Sequence, residues 1–192
     1  MQNPRMVNNE INKLTCNEST VLKNSFYSIY LGKRDRCYNS IESLLYCYRV
    51  FKEARNCYMH HNSCADDKLV KAYLEYAPHA TPTALCVSEI PEFSKPVLNG
   101  EIKISLRGVV GLSYIIIKIL VSLGTELLRA RNAEAEFISR FKKKHTPLRT
   151  LKGDVESARR QVKQYVKQCE FAEPRAIDEL TTFLHDNHLI AR

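Results

Sequence analysis

The residue types best suited to chemistry gather in one stretch, FKEARNCYMHHNSCADDKL, from Phe51 to Leu69. Between Arg55 and Cys64 it holds an arginine, an asparagine, two adjacent histidines and two cysteines. An arginine is permanently charged, and its forked donors suit a phosphate or a phosphoryl transition state. A histidine, with an ordinary pKa of about 6.5, moves protons at neutral pH, and cysteine and histidine together can ligate zinc. A proton-transfer site, a metal knot and the end of an ordinary helix are therefore all open readings.

Spacing weighs these readings. Ile41, Leu44, Leu45, Tyr48, Phe51 and Tyr58 recur at a helical period, so a helix starting near Asp35 carries the cluster at its end. At about 100° per residue, with Ile41 at zero, Arg55 falls near −40°, on the apolar stripe, and Asn56 and His60 fall near 60° and 100°. A guanidinium on a core-facing stripe is costly unless it is paired, lines a polar cavity or meets an interface. The plain alternative is that Arg55 snorkels to solvent along its stem, as Lys52 must. Asn56 and His60 are one turn apart and can touch, the amide fixing one imidazole tautomer. Arg55 and His60 converge only through the length of the arginine or a distorted helix end. Structural zinc sites usually combine two short ligand pairs across a long loop. Here Cys57, His60, His61 and Cys64 crowd together, and Cys57 points about 60° away from His60.

The remaining elements must position that cluster. Residues 4–31 carry Val7, Ile11, Leu14, Val21, Leu22, Phe26 and Ile29 at helical spacing, in one or two pieces stopped by Gly32. Asp66 to Tyr76 reads as a short helix, ended by Pro78 and Pro82. Strict alternation in Glu101–Leu106, with a weaker strand at Thr83–Ile90, predicts a small two-stranded β-ribbon. Gly108–Phe141 reads as one long helix, buried at its start and solvated at its end. Lys142–Gly153 reads as a linker, and Asp154–Cys169 and Pro174–His185 as two further helices, with Pro174 in the first turn of the second. The fold class is thus mainly α, a helical bundle over residues 1–145 with a basic helical extension over 146–192.

Composition narrows the class. With 44% hydrophobic and 26% charged residues, the 192-residue chain has the makeup of a globular protein rather than a disordered one. Its net charge is +8, and Arg140–Gln168 alone holds ten basic residues: Arg140, Lys142, Lys143, Lys144, Arg149, Lys152, Arg159, Arg160, Lys163 and Lys167. Only Asp154 and Glu156 oppose them there, so the rest of the chain is neutral. Localised positive charge is the footprint of a polyanion partner; the alternative is a solvated helix face with its counter-charge elsewhere. The seven cysteines are scattered, and MQNPRMVNNEINK lacks an apolar leader, so free thiols in a reducing cytoplasm are expected. The most apolar run, Val109–Leu123, contains Lys118 and falls short of the roughly 20 apolar residues of a spanning helix. A buried helix, and no membrane, is the expectation.

ARNCYMHHN, followed by DDKLVKAY, resembles the signature of the HEPN superfamily, in which an Arg, often followed by a polar residue, precedes a His by four to six positions. Arg55-Asn56-x3-His60 fits that pattern at the end of an amphipathic helix, and the likeness spans roughly Ile41–Tyr76, extending less strongly to residue 141. The resemblance implies a helical bundle that dimerises and cleaves RNA without a metal or other cofactor, commonly as the toxin or effector of a toxin–antitoxin or antiviral system restrained by an antitoxin or other regulatory partner. It implies catalytic roles for Arg55 and His60, with Asn56 supporting and a composite site at a two-fold interface. His61 takes the catalytic place if the register shifts by one residue. Lys142, Lys143, Lys144, Arg159, Arg160 and Lys163 are the expected RNA-binding residues. Some members carry a Tyr two residues after the His, which a partner modifies; Asn62 occupies that position here. Other relatives are silent binding modules, so a nucleic-acid-binding or protein-interaction module is the alternative.

Overall fold

The computed structural model describes residues 4–146 and 148–191 and is mainly helical. Helix α1 (Pro4–Thr15) stops before Ser19, whose hydroxyl accepts from Leu22 N at 3.1 Å and caps α2 (Thr20–Leu22). A π-helical turn, Lys23–Tyr27, leads into α3 (Ser28–Leu31), which ends at Gly32. There follow α4 (Ile41–His60), α5 (Asp67–Tyr76), a short α6 (Pro82–Leu85), α7 (Leu106–Leu128), α8 (Asn132–Lys144), α9 (Val155–Gln168) and α10 (Ile177–Asp186). Two short strands, β1 (Arg149–Thr150) and β2 (Ile190–Ala191), pair in parallel with Arg149 opposite Ile190.

The chain divides into two compact units, one of Met1–Asn9 with Arg34–Leu123 and one of Glu10–Lys33 with Gly124–Arg192. In the first, α4 and α5 pack together and enclose Leu44, Val50, Phe51, Leu69, Leu85 and Ile115. In the second, Leu22, Phe26, Phe137, Phe141, Val162, Val166, Leu180 and Leu184 form one core. Its aromatic centre places the Phe137 ring 6.1 Å from Phe26 and 5.0 Å from Phe171. The units thus border at other positions than residue 145. Residues after 146 share a core with residues from the first thirty-three and with α8, so they form no separate extension.

Four expectations are corrected. The sheet lies at 149–150 and 190–191, not in a ribbon of 83–90 and 101–106. The first of those segments begins in the end of α6 and leaves it through a left-handed Cys86, and the second contributes one isolated bridge, Glu101 to Cys64. The helix expected over 108–141 breaks between α7 and α8, because backbone groups near Ala130 bond elsewhere: Ser19 N donates to Arg129 O at 2.8 Å and Arg131 N to Asn17 O at 2.9 Å. Residues 142–153 are no loose linker, since α8 runs to Lys144, His145 is buried and β1 is paired. Pro174 precedes α10 rather than sitting in its first turn.

Helix α7 departs furthest from a buried core helix. Ile115 and Ile119 face inward, whereas Leu106, Val109, Val110, Ile117 and Leu120 are exposed along one side, Leu106 at 80% and Leu120 at 65%. By length and composition alone α7 could cross a membrane.

Candidate functional site

Helix α4 is regular to its end: His61 N still donates to Cys57 O at 2.8 Å. Its buried residues begin near Ile41, Leu44 and Leu45 and drift around the axis to Val50, Ala54 and Cys57, where α5 covers the helix. Arg55 consequently lies outside the buried stripe and is exposed, which corrects the inward placement read from the period of the first half. Among the described residues it has no hydrogen bond or ion pair, whereas Arg49, Arg107, Arg129, Arg140 and Arg159 each meet a carboxylate. His60 and His61 are exposed too. With α4 undistorted, Arg55 and His60 project about 140° apart around the axis, so within one chain they do not aim at one point.

Asn56 does not hold His60. Its Nδ2 donates instead to Glu53 Oε2 at 3.1 Å, and Lys52 Nζ lies 2.7 Å from the other oxygen of that carboxylate. Glu53 is buried, which raises its pKa, but the Lys52 and Asn56 hydrogen bonds outweigh burial and hold the carboxyl below its ordinary range. A buried carboxylate anchoring Asn56 was the residue missing from the sequence reading; its signal was the three-residue step from Glu53 to Asn56 on a helix.

Beyond His60 the chain turns through two left-handed residues, Asn62 at φ 48° and Ser63 at φ 61°. The turn is pinned to a neighbouring segment: Ile102 N donates to Ser63 O at 2.8 Å, Ala65 N to Gly100 O at 2.9 Å and Asn99 N to Ala65 O at 2.8 Å. The Tyr58 hydroxyl adds a bond to Ile102 O at 2.7 Å. Asp66 then caps α5, its Oδ1 accepting from Leu69 N at 2.8 Å, while its other oxygen lies 3.7 Å from His61 Nε2. The two histidines are thereby distinguished: His61 lies beside a carboxylate, and His60 at the helix end has no partner among the described residues.

The cysteines of the stretch meet other groups than the histidines, Cys64 Sγ donating to Asn62 O at 3.7 Å. Cys57 is fully buried with its thiol against Asp66, and burial raises its pKa. Among the described residues, no three His, Cys, Asp or Glu side chains converge as a metal would require.

The basic residues are unequal. Arg159 is held by Asp178 through two bonds, 2.9 and 2.7 Å, and by Glu156; Lys163 pairs with Glu173 at 2.6 Å. Lys142, Lys143 and Lys144 at the end of α8 are exposed without an acidic partner among the described residues, and Arg160 bonds only a backbone carbonyl. These residues belong to the second unit and the Arg55–His60 cluster to the first. No known protein family, curated protein or solved structure matches the chain.

Proposed function

We propose that the chain is a metal-independent endoribonuclease whose active site is completed across a two-fold dimer. The carrying observation is the end of α4, where an arginine and a histidine, both exposed and without a partner among the described residues, stand on a helix whose other side is locked into a core. RNA supplies its own nucleophile. His60 would take the proton of a 2′-hydroxyl, the oxygen would attack the adjacent phosphorus, and Arg55 would neutralise the charge that builds on the phosphoryl oxygens. The leaving 5′-oxygen needs an acid, and a second His60 from the partner copy is the natural donor. The products would be a 2′,3′-cyclic phosphate and a free 5′-hydroxyl.

The divergence of Arg55 and His60 around one helix favours a shared site, because two copies can place one chain's arginine beside the other's histidine. The exposed apolar side of α7 supports dimerisation, since apolar side chains in a continuous row are rarely left in water by a monomer. Lys142, Lys143, Lys144 and Arg160 would hold RNA, with Arg159 and Lys163 committed to internal ion pairs. The same apolar row also supports the second reading, a helical module that binds a larger partner and cuts nothing. An antitoxin-like regulator and a cytoplasmic setting fit the first reading.

Incubating wild type, Arg55→Ala, His60→Ala and His61→Ala proteins with mixed cellular RNA in EDTA separates the readings. Cleavage by wild type and His61→Ala, loss in the other two and cyclic-phosphate ends are expected. Intact RNA with wild-type protein, or unchanged cutting by His60→Ala, sinks the nuclease reading.

A further inference from the structure

Independently of any action on RNA, the first unit contains a cavity of about 560 Å³, lined in part by Arg34, Asp35, Cys37, Cys86, Arg107 and Lys118. We propose that Cys37 and Cys86 in this cavity are an oxidation site, forming a reversible disulfide when hydrogen peroxide enters. The two side chains come from distant segments. Cys37 precedes α4 and is fixed by its N–H donating to Ser122 Oγ at 2.8 Å, and Cys86 ends α6 in a left-handed conformation at φ 52°. Both cysteines line the cavity, and Cys86, the exposed one, donates to Ser40 Oγ at 3.3 Å, on the residue whose own N–H donates to Cys37 O at 3.0 Å. Lys118 is 92% buried by its surroundings, being only 8% exposed, and its ammonium lies 3.8 Å from Cys37 Sγ and 3.7 Å from Asp35 Oδ1. Burial raises the Cys37 pKa, the Cys86 thiol adds to this, and Lys118 opposes both.

The chemistry assigns an order. Cys86 meets solvent, so its thiolate attacks one peroxide oxygen; the O–O bond breaks, Cys86 becomes a sulfenic acid and the released hydroxide takes a proton to become water. Cys37 then attacks the Cys86 sulfur as it gives up its proton. The S–S bond forms, the S–O bond breaks, and the departing hydroxide leaves as a second water. Two thiols lose two electrons and two protons, and one peroxide becomes two waters. The ammonium of Lys118 favours the second step by stabilising the Cys37 sulfur as it becomes anionic. Of the five other cysteines, Cys47, Cys57 and Cys169 are buried, with burial raising the pKa of each, and Cys16 and Cys64 do not line the cavity.

The full-length reduced chain, treated with stoichiometric hydrogen peroxide and then a thiol-blocking maleimide, is read by intact mass and peptide fragmentation. Expected is the loss of two hydrogens from a single Cys37–Cys86 link that dithiothreitol reverses. In Cys37→Ser, Cys86 should stop as a sulfenic acid captured by dimedone, and in Lys118→Met ring closure should slow several-fold, with circular dichroism confirming that both variants fold. A link between other cysteines, a wild-type Cys86 that accumulates as sulfenic acid without closing, or closure in Lys118→Met at the wild-type rate would overturn the proposal.

Discussion

Asp66 joins the α4–α5 turn to the helix that covers it, so its removal tests how the candidate site is held in place. The carboxylate caps α5 through Leu69 N at the helix N-terminus, where the helix dipole favours an anion. A lost cap costs about 1 kcal/mol and the lost charge about 0.5 kcal/mol, so Asp66→Ala should cost about 1.5 kcal/mol, or about 3–6 °C in Tm. Asp66→Asn retains a capping oxygen and should cost about 0.5 kcal/mol at pH 7. The pH dependence separates the two contributions. Burial raises the Asp66 pKa, but the Leu69 N–H, the Cys57 thiol and the neighbouring His61 outweigh it, so the folded value lies below the ordinary one. A group depressed in this way stabilises the folded chain above its unfolded pKa of about 3.9. That contribution disappears as pH falls through the folded value. Urea denaturation followed by circular dichroism from pH 7 to pH 3 should therefore show the gap between wild type and Asp66→Asn closing below about pH 4. A gap constant over that range, or Asp66→Asn as unstable as Asp66→Ala at pH 7, would refute the role given to the charge and the cap.

Three other expectations follow from particular contacts. A Cβ on Gly111 would lie 2.8 Å from Pro91 Cα, a backbone atom that cannot yield, so Gly111→Ala should destabilise the first unit by about 1–3 kcal/mol in the same denaturation assay. If the proposed dimer forms through α7, replacing Ile117 and Leu120 together by Glu should leave a monomer in sedimentation velocity with helical content unchanged, since both side chains already face outward. Under the proposed RNA binding, replacing Lys142, Lys143 and Lys144 by Ala should weaken affinity and lower the slope of log affinity against log salt by about 2–3. Arg159→Ala should barely change that slope in the same titration, because Asp178 and Glu156 already neutralise it.

Much of the architecture was legible where local rules decide it. Helix α4 follows from apolar spacing, and the end of α5 from the prolines beyond it. What escaped depends on contacts between distant segments. The period of early α4 pointed Arg55 inward, but the buried side of a helix is set by whatever covers it, and α5 covers late α4 from another direction. No Gly or Pro marks the break at Arg129–Arg131; the break is made by backbone bonds to Asn17 and Ser19. Alternation in 101–106 pointed to a strand, but of these residues Glu101 alone forms a bridge and Leu106 already opens α7. The positive run seemed unopposed because Asp178 and Glu173, which lie outside it, are close only after folding.

The paired left-handed residues after α4 carry a consequence for recognising kin of this chain. Such backbone costs roughly 1 kcal/mol per non-glycine residue and persists only where its surroundings dictate it, here the bonds to Gly100 and Ile102. An insertion or deletion between His60 and Asp66 would have to rebuild those bonds and shift α5 on α4. The interval from the last helical histidine to the capping aspartate is therefore a length constraint, with Asn, Asp, Ser or Gly tolerated at the two left-handed positions. A distant relative that has lost overall identity should still keep that spacing, which makes the interval a sharper search key than the Arg-to-His spacing alone.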